Sequence, residues 1–316
     1  MFRTILVPLD GSLSAELALP TAIALAKRAQ GRLEIVFAHE SVAMGSFEDW
    51  PWTMSSATVK SHYLTAKARQ LRESSGVPVT HTVLSGDAGD SICAHARSSN
   101  ADLIAMVTHG RTGLARTLYG SVTDHVVRNS GIPVLHMQDC VVHAPRRGPP
   151  DDFPRILVPI DESAESRQIF DAAGALARRG VSQLLLVRVV APVRTVLDAT
   201  FAYGYMSGPI DDAATSEVVD DADHELMNAA VDLGQRSGCD VDPHVLVSDH
   251  PANAIVDFAR KYNASTIAMT THGRGVPRMV YGSVADRVMR DSHLPMLVLR
   301  PALVAAEVAT EPAAAG

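Results

Sequence analysis

Cysteine is scarce, and its placement excludes two chemistries. Only Cys93, Cys140 and Cys239 occur in 316 residues, and no two of them form a Cys-x-x-Cys pair, so neither a disulfide framework nor a zinc–thiolate site is expected. Long apolar runs are missing too. The best of them, residues 5–9 and 184–187, stop at Asp10 and Arg188, far short of the ~20 residues that span a bilayer. The first residues lead straight into a short apolar strand rather than a signal-peptide core, so a cytoplasmic location without membrane contact is the expectation. Positive charge is in deficit. A net charge of −7 and a pI near 6.0 give no general attraction to phosphate backbones or anionic lipid, and nucleic acid is not an expected partner. No Gly-Lys-Ser/Thr run occurs, so the lysine that a Walker-type ATPase places on the β- and γ-phosphates is lacking.

What the chain has is a repeat. Ile5-Leu6-Val7-Pro8-Leu9-Asp10-Gly11-Ser12 returns as Ile156-Leu157-Val158-Pro159-Ile160-Asp161-Glu162-Ser163, 151 residues later. Thr108-His109-Gly110-Arg111 returns as Thr271-His272-Gly273-Arg274, and Tyr119-Gly120-Ser121-Val122 as Tyr281-Gly282-Ser283-Val284. With 47% hydrophobic residues there is material for two cores. The expected units are a domain over 1–139, a Pro- and Arg-containing linker over 140–152, a second domain over 153–301 and a disordered tail over 302–316.

In each half, short apolar runs alternate with stretches of helical period, which predicts an open parallel five-stranded sheet with helices on both faces, a Rossmann-like α/β fold. Strands are expected at 4–9, 32–38, 78–84, 102–107 and 133–137. A first helix should begin near Ser12 or Ser14 and end at Gly31, a third near Asp90 or Ser91, and a fourth near Ser121 with Val122, Val126 and Val127 on one face. Residues 40–56 and 203–211 read as inserted loops.

In such sheets ligands bind beyond the carboxyl ends of the strands, where successive crossovers reverse direction. Asp10 and Asp161 end the first strands there, and the glycine-containing loops 108–121 and 271–283 follow the fourth. Gly110 and Gly120 let backbone approach a phosphate, and Ser121 opens a helix whose free N–H groups and dipole favour an anion. The same residues also suit a plain loop turn and an ordinary helix cap. His109 and His272 belong to no recognisable Ser, His and Asp arrangement, and no catalytic residue is assigned. No metal site is assigned either.

Both halves resemble the universal stress proteins along nearly their whole lengths. That family carries Gly, two residues, Gly, nine residues, then Gly-Ser or Gly-Thr after its fourth strand. Gly110, the nine residues 111–119 and Gly120-Ser121 reproduce the later part, with Val107 at the first glycine position. In the second half Thr270 stands at that position, and eight residues separate Gly273 from Gly282. The resemblance implies the adenine nucleotide alpha hydrolase-like fold and ATP, with Mg²⁺ as its companion. It places Pro8, Leu9, Asp10, Met106, Val107 and His109 along the pocket, Gly110, Gly120, Ser121, Val122 and Thr123 at the phosphates, and Glu40 at the adenine. The second-half counterparts are Pro159, Ile160, Asp161, Val189, Met269, Thr270, His272, Gly273, Gly282, Ser283 and Val284.

The expected function is an ATP-binding stress-response regulator acting through an unidentified protein partner, with slow hydrolysis or self-phosphorylation as the most enzymatic reading. The alternative is an interaction module of the same fold that binds no nucleotide. The final strands, 133–137 and 295–299, are expected to pair as an internal pseudo-dimer, with a homodimer of chains as a further option. Retention of the nine-residue spacing ranks the first site above the second.

Overall fold

A computed structural model describes residues 1–39, 57–108, 121–138, 152–195, 209–271 and 282–302. The expected loop 40–56, residues 203–208 of the expected loop 203–211, most of the linker and the tail beyond 302 lie outside these residues.

Each half supplies five strands, and the two sets join into one sheet. The first half gives β1 (Thr4–Leu9), β2 (Arg32–His39), β3 (Val79–Ser85), β4 (Leu103–Thr108) and β5 (Val134–Gln138). The second gives β6 (Arg155–Ile160), β7 (Gln183–Val190), β8 (Asp240–Val247), β9 (Thr266–Thr270) and β10 (Met296–Leu299). Their order is β3-β2-β1-β4-β5-β10-β9-β6-β7-β8. All pairings are parallel except the central one. There β5 meets β10 antiparallel, with Val134 opposite Val298, Leu135 opposite Leu297 and His136 opposite Met296. The expected pairing of the last strands is therefore present, and it makes one ten-stranded sheet of the two five-stranded ones.

Alternation along each strand sends side chains to two cores, as a sheet covered on both faces requires. Ile5, Val7 and Leu9 join one layer with α2 (Leu19–Arg28), α3 (Ala57–Ser75), α7 (Phe170–Leu176) and α8 (Asp212–Ser237). Leu6 joins the other with α4 (Ala88–Ser98), α5 (Ser121–Asn129), α9 (Pro251–Lys261) and α10 (Ser283–Asp291). Across the seam, the Arg28 guanidinium donates to the carbonyls of Ala175 (3.1 Å) and Leu176 (2.7 Å) at the end of α7, where free carbonyls and the negative end of the dipole accept a cation.

Local details depart from the expectations in instructive ways. The first helix is two: α1 (Leu13–Glu16), capped by Ser12, then α2 with Pro20 in its first turn. Proline suits a helix start, but the same break separates α6 (Ala164–Arg167) from α7, where Asp171 takes the place of Pro20. Proline fits the break without being its cause. Gly31 does not supply the left-handed residue of the helix end, which is Gln30 at φ 51°. Its role is steric: a Cβ at Gly31 would lie 2.2 Å from the Arg3 carbonyl oxygen. The helix expected near Asp90 starts earlier, because Asp87 caps it through its hydrogen bond from the Asp90 N–H.

Candidate functional site

The site begins with an incomplete strand pair. β1 and β4 are in register only at Ile5 with Leu103 and Leu6 with Ile104, and β6 and β9 only at Ile156 with Thr266 and Leu157 with Ile267. Beyond these positions the two strands of each pair run on without pairing to one another, and Pro8 and Pro159, lacking N–H groups, fall just there. Two crevices result, at the two points where the crossover direction reverses.

In the second crevice the residues close around a cavity of about 300 Å³. Pro159, Ile160, Asp161, Val189, Met269, Thr270, Gly282, Ser283 and Val284 all line it. These are all the second-half residues singled out from sequence that fall within the described set; His272 and Gly273 lie outside it. Val187, Pro251, Ile255, Ser166, Thr271 and Ala285 complete the wall, and sequence reasoning missed them. The start of α9 was the available signal, since a helix after the third strand of such a half must pass the same strand ends.

Polar groups are fixed at two places. Asp161 Oδ1 accepts the Ser163 N–H at 2.9 Å and also the Ser163 hydroxyl. The buried Ser166 hydroxyl lies 3.1 Å from the Asp161 carbonyl and 2.9 Å from that of Ser163. The carboxylate is thereby held at the cavity rim. At the other end the Gly282 N–H donates to the Thr271 carbonyl at 2.9 Å, so both ends of the intervening loop meet at the cavity. Gly282 is the N-cap of α10 and brings no side-chain cap. The first N–H groups of α10 therefore open toward the space beside Ser283, with the positive end of the helix dipole behind them.

The first crevice has the same frame. Asp10 Oδ1 accepts the Ser12 N–H at 2.9 Å, Pro8 and Leu9 precede it on β1, and Ser121, Val122 and Thr123 open α5. Met106 and Val107 are buried on β4 in opposite layers: Met106 faces α4 and α5, whereas Val107 packs in the layer of α2 and α3. The branched side chain at the first glycine position of the motif is thus core. Glu40, His109, Gly110 and Gly120 lie outside the described residues.

The outer walls of the crevices differ. In the first half Phe37, near the end of β2, packs against Tyr63 of α3, edge to face at 6.2 Å, with Lys60 4.8 Å above the Phe37 ring. Tyr63 donates to Glu16 at 2.6 Å, and burial, then Glu16, then Asp10 raise its pKa and keep the hydroxyl protonated. In the second half Arg188 replaces Phe37. Its buried guanidinium spans Glu162 and Glu225, both at 2.6 Å, beside a second cavity of about 410 Å³ that adjoins the first through Asp161 and Val189.

Two Rossmann-like units in tandem, each with a carboxylate after its first strand and a helix start facing the same crevice, define the class of fold. The sequence profile of the universal stress protein family matches residues 1–137 and again 152–300. Universal stress proteins of Mycobacterium bovis and Mycobacterium tuberculosis are 30% identical over 210 residues, 64% of this chain, and the chain spans 63% of their length. One from Methanocaldococcus jannaschii is 32% identical over 138 residues, 43% of this chain and 81% of that protein. The crystal structure of a universal stress protein from Archaeoglobus fulgidus aligns with a TM-score of 0.66 over 95% of this chain and 99% of its own, at 20% identity. A functionally unknown protein from Pseudomonas aeruginosa aligns at 0.63 over 95% and 93%, at 18% identity. These two structural likenesses speak to the fold alone. The chain belongs to the universal stress protein family, and it carries two copies of the family's domain.

Proposed function

We propose that the protein binds adenine nucleotide, as ATP with Mg²⁺, and serves as a stress-response regulator without fast catalysis. The observation that carries this reading is the second-half cavity, where Asp161, an apolar wall and the uncapped start of α10 meet. A nucleotide asks for that division of labour. Val187, Val189, Ile255 and Met269 offer a surface for the base, Asp161 a carboxylate for ribose hydroxyls or a divalent ion, and the α10 N–H groups a cradle for phosphate. The sequence carries no Gly-Lys-Ser/Thr run that would place a lysine on a transferring phosphoryl group. That supports a bound-state signal over turnover.

Equilibrium dialysis of the full chain against millimolar ATP and Mg²⁺ tests the reading, with Asp161→Ala expected to weaken binding in the second half. Undetectable binding by the unaltered protein refutes it. The second reading, an interaction module without nucleotide, is favoured by Val107 and Thr270 at the first glycine positions. It requires protein that carries no nucleotide and a partner whose binding ignores Asp10→Ala.

A further inference from the structure

A second cluster of potential ligands lies outside both crevices, and the fold rather than the sequence assembles it. Asp87 and Asp90 occupy the cap and first turn of α4, and His125 comes from the second turn of α5. One ligand atom from each, two carboxylate oxygens and an imidazole nitrogen, fall within 4.8 Å of one another.

Three observations distinguish this group from a chance gathering of exposed charge. First, His125 Nε2 is sealed from solvent, although the ring is about one-third exposed, and it has no hydrogen-bond partner. It stands 2.8 Å from Asp90 Oδ1, yet without the alignment of a hydrogen bond. Neighbouring ligands of one ion, at metal–ligand distances of ~2.1 Å, lie about 3.0 to 3.4 Å apart, so this contact has to open by only a few tenths of an ångström to admit one. A sealed nitrogen whose nearest carboxylate oxygen is out of line for a hydrogen bond leaves a place where one ion can serve both groups. Second, the ring's place is built in: a Cβ on Gly89 would fall 2.6 Å from His125 Cδ2 and Cγ. Only glycine lets the imidazole lie across the first turn of α4. Third, the second half lacks the group. His250 stands at the place of Asp87, Asn253 at that of Asp90 and Arg287 at that of His125, so the second half puts a cation where the first puts a donor. The positive end of the α4 dipole opposes a cation, and the two carboxylates in the same turn reverse that local field.

We propose that Asp87, Asp90 and His125 hold a divalent transition-metal ion of the zinc class in the first half, with water completing the shell. Mixed carboxylate and imidazole donors suit zinc better than calcium or magnesium, which prefer oxygen alone. The ion is held by protein and needs no nucleotide.

The test uses the full chain, stripped with chelator and titrated calorimetrically with Zn²⁺ alone, without nucleotide. The expected result is one site that weakens in acid as the imidazole takes a proton. Asp87→Asn keeps the helix cap, Asp90→Asn and His125→Gln keep size, and each should weaken that site by at least the roughly tenfold cost of disturbing a metal's outer shell. Gly89→Ala touches no donor, yet it should weaken binding as well by displacing the ring. Thermal melts of the stripped variants control for folding, and Arg287→Gln in the second half should leave the titration unchanged. Zinc bound by His125→Gln with unaltered affinity and stoichiometry overturns the proposal, as does no binding by the unaltered chain. A loss confined to variants whose metal-free melts have collapsed also overturns it, in favour of a purely structural ion pair.

Discussion

Replacing His136 by valine, the residue at the equivalent place in β10, Val298, removes the one buried histidine of the antiparallel seam. His136 is 2% exposed and lies opposite Met296. Burial lowers its pKa from 6.5 to about 4. Because the folded value is the lower one, the unfolded chain binds the extra proton first, and stability falls as pH drops from about 6.5 toward 4. Each pH unit in that window costs about 1.4 kcal/mol, which gives about 2 kcal/mol near pH 5 and about 3 kcal/mol at the plateau. Above pH 6.5 the histidine is neutral in both states and the term vanishes. Urea unfolding of both proteins near pH 7.5, 6 and 5 isolates it, since the carboxylates titrate alike in the two. The natural protein should lose about 2 kcal/mol more than His136→Val between the first and last conditions. Parallel loss in the two proteins would refute the reasoning and would mean that the buried ring is accommodated in its charged form.

Other perturbations follow from the same contacts. Gly31→Ala drives a Cβ into the Arg3 carbonyl, which is backbone and cannot rotate away, so a loss of roughly 2 kcal/mol or more is expected in thermal unfolding; an unchanged melting temperature would contradict it. Arg188→Met leaves Glu162 and Glu225 without their shared cation, but both are about half exposed and recover water, so the cost should be about 1–2 kcal/mol and not the larger penalty of a fully buried pair. A loss above that range in urea titrations would mean that α8 depends on this bridge for docking. Under the proposed function the first crevice, with its nine-residue spacing, should bind ATP more tightly than the second. ATP titrations of Gly120→Val and Gly282→Val made separately test this ranking, and loss of binding in the second variant with normal binding in the first would reverse it.

Much of the sheet is legible in the sequence because its causes are local. Residues 5–9 form an apolar run through Pro8 and Leu9 that stops at Asp10, and the same run returns at 156–160 before Asp161, so both strand and crevice can be placed from one line of text. Gly282-Ser283 marks a helix start for the same reason. What stays hidden depends on residues far apart in the chain. Gly31 looks like a helix end because glycine often is one, whereas here the Arg3 carbonyl decides. Val107 stands at a glycine position of the family's motif, and only the strand's alternation shows that it packs in the layer opposite Met106. Pro251 and Ile255 reach the cavity only through the packing of α9, and His125 meets Asp90 only once α4 and α5 lie side by side. None of these contacts leaves a periodic trace.

The central strand pair also changes what a substitution means. If two separate copies joined through the same edge, every residue at the joint would occur twice about a two-fold axis, and a polar side chain there would impose its burden in duplicate. With both partners on one chain, His136 faces Met296 while its own counterpart, Val298, faces Val134. The joint can therefore carry a single ionisable group, and the two crevices on either side can drift apart in composition, Phe37 against Arg188, without unmaking the contact that unites them.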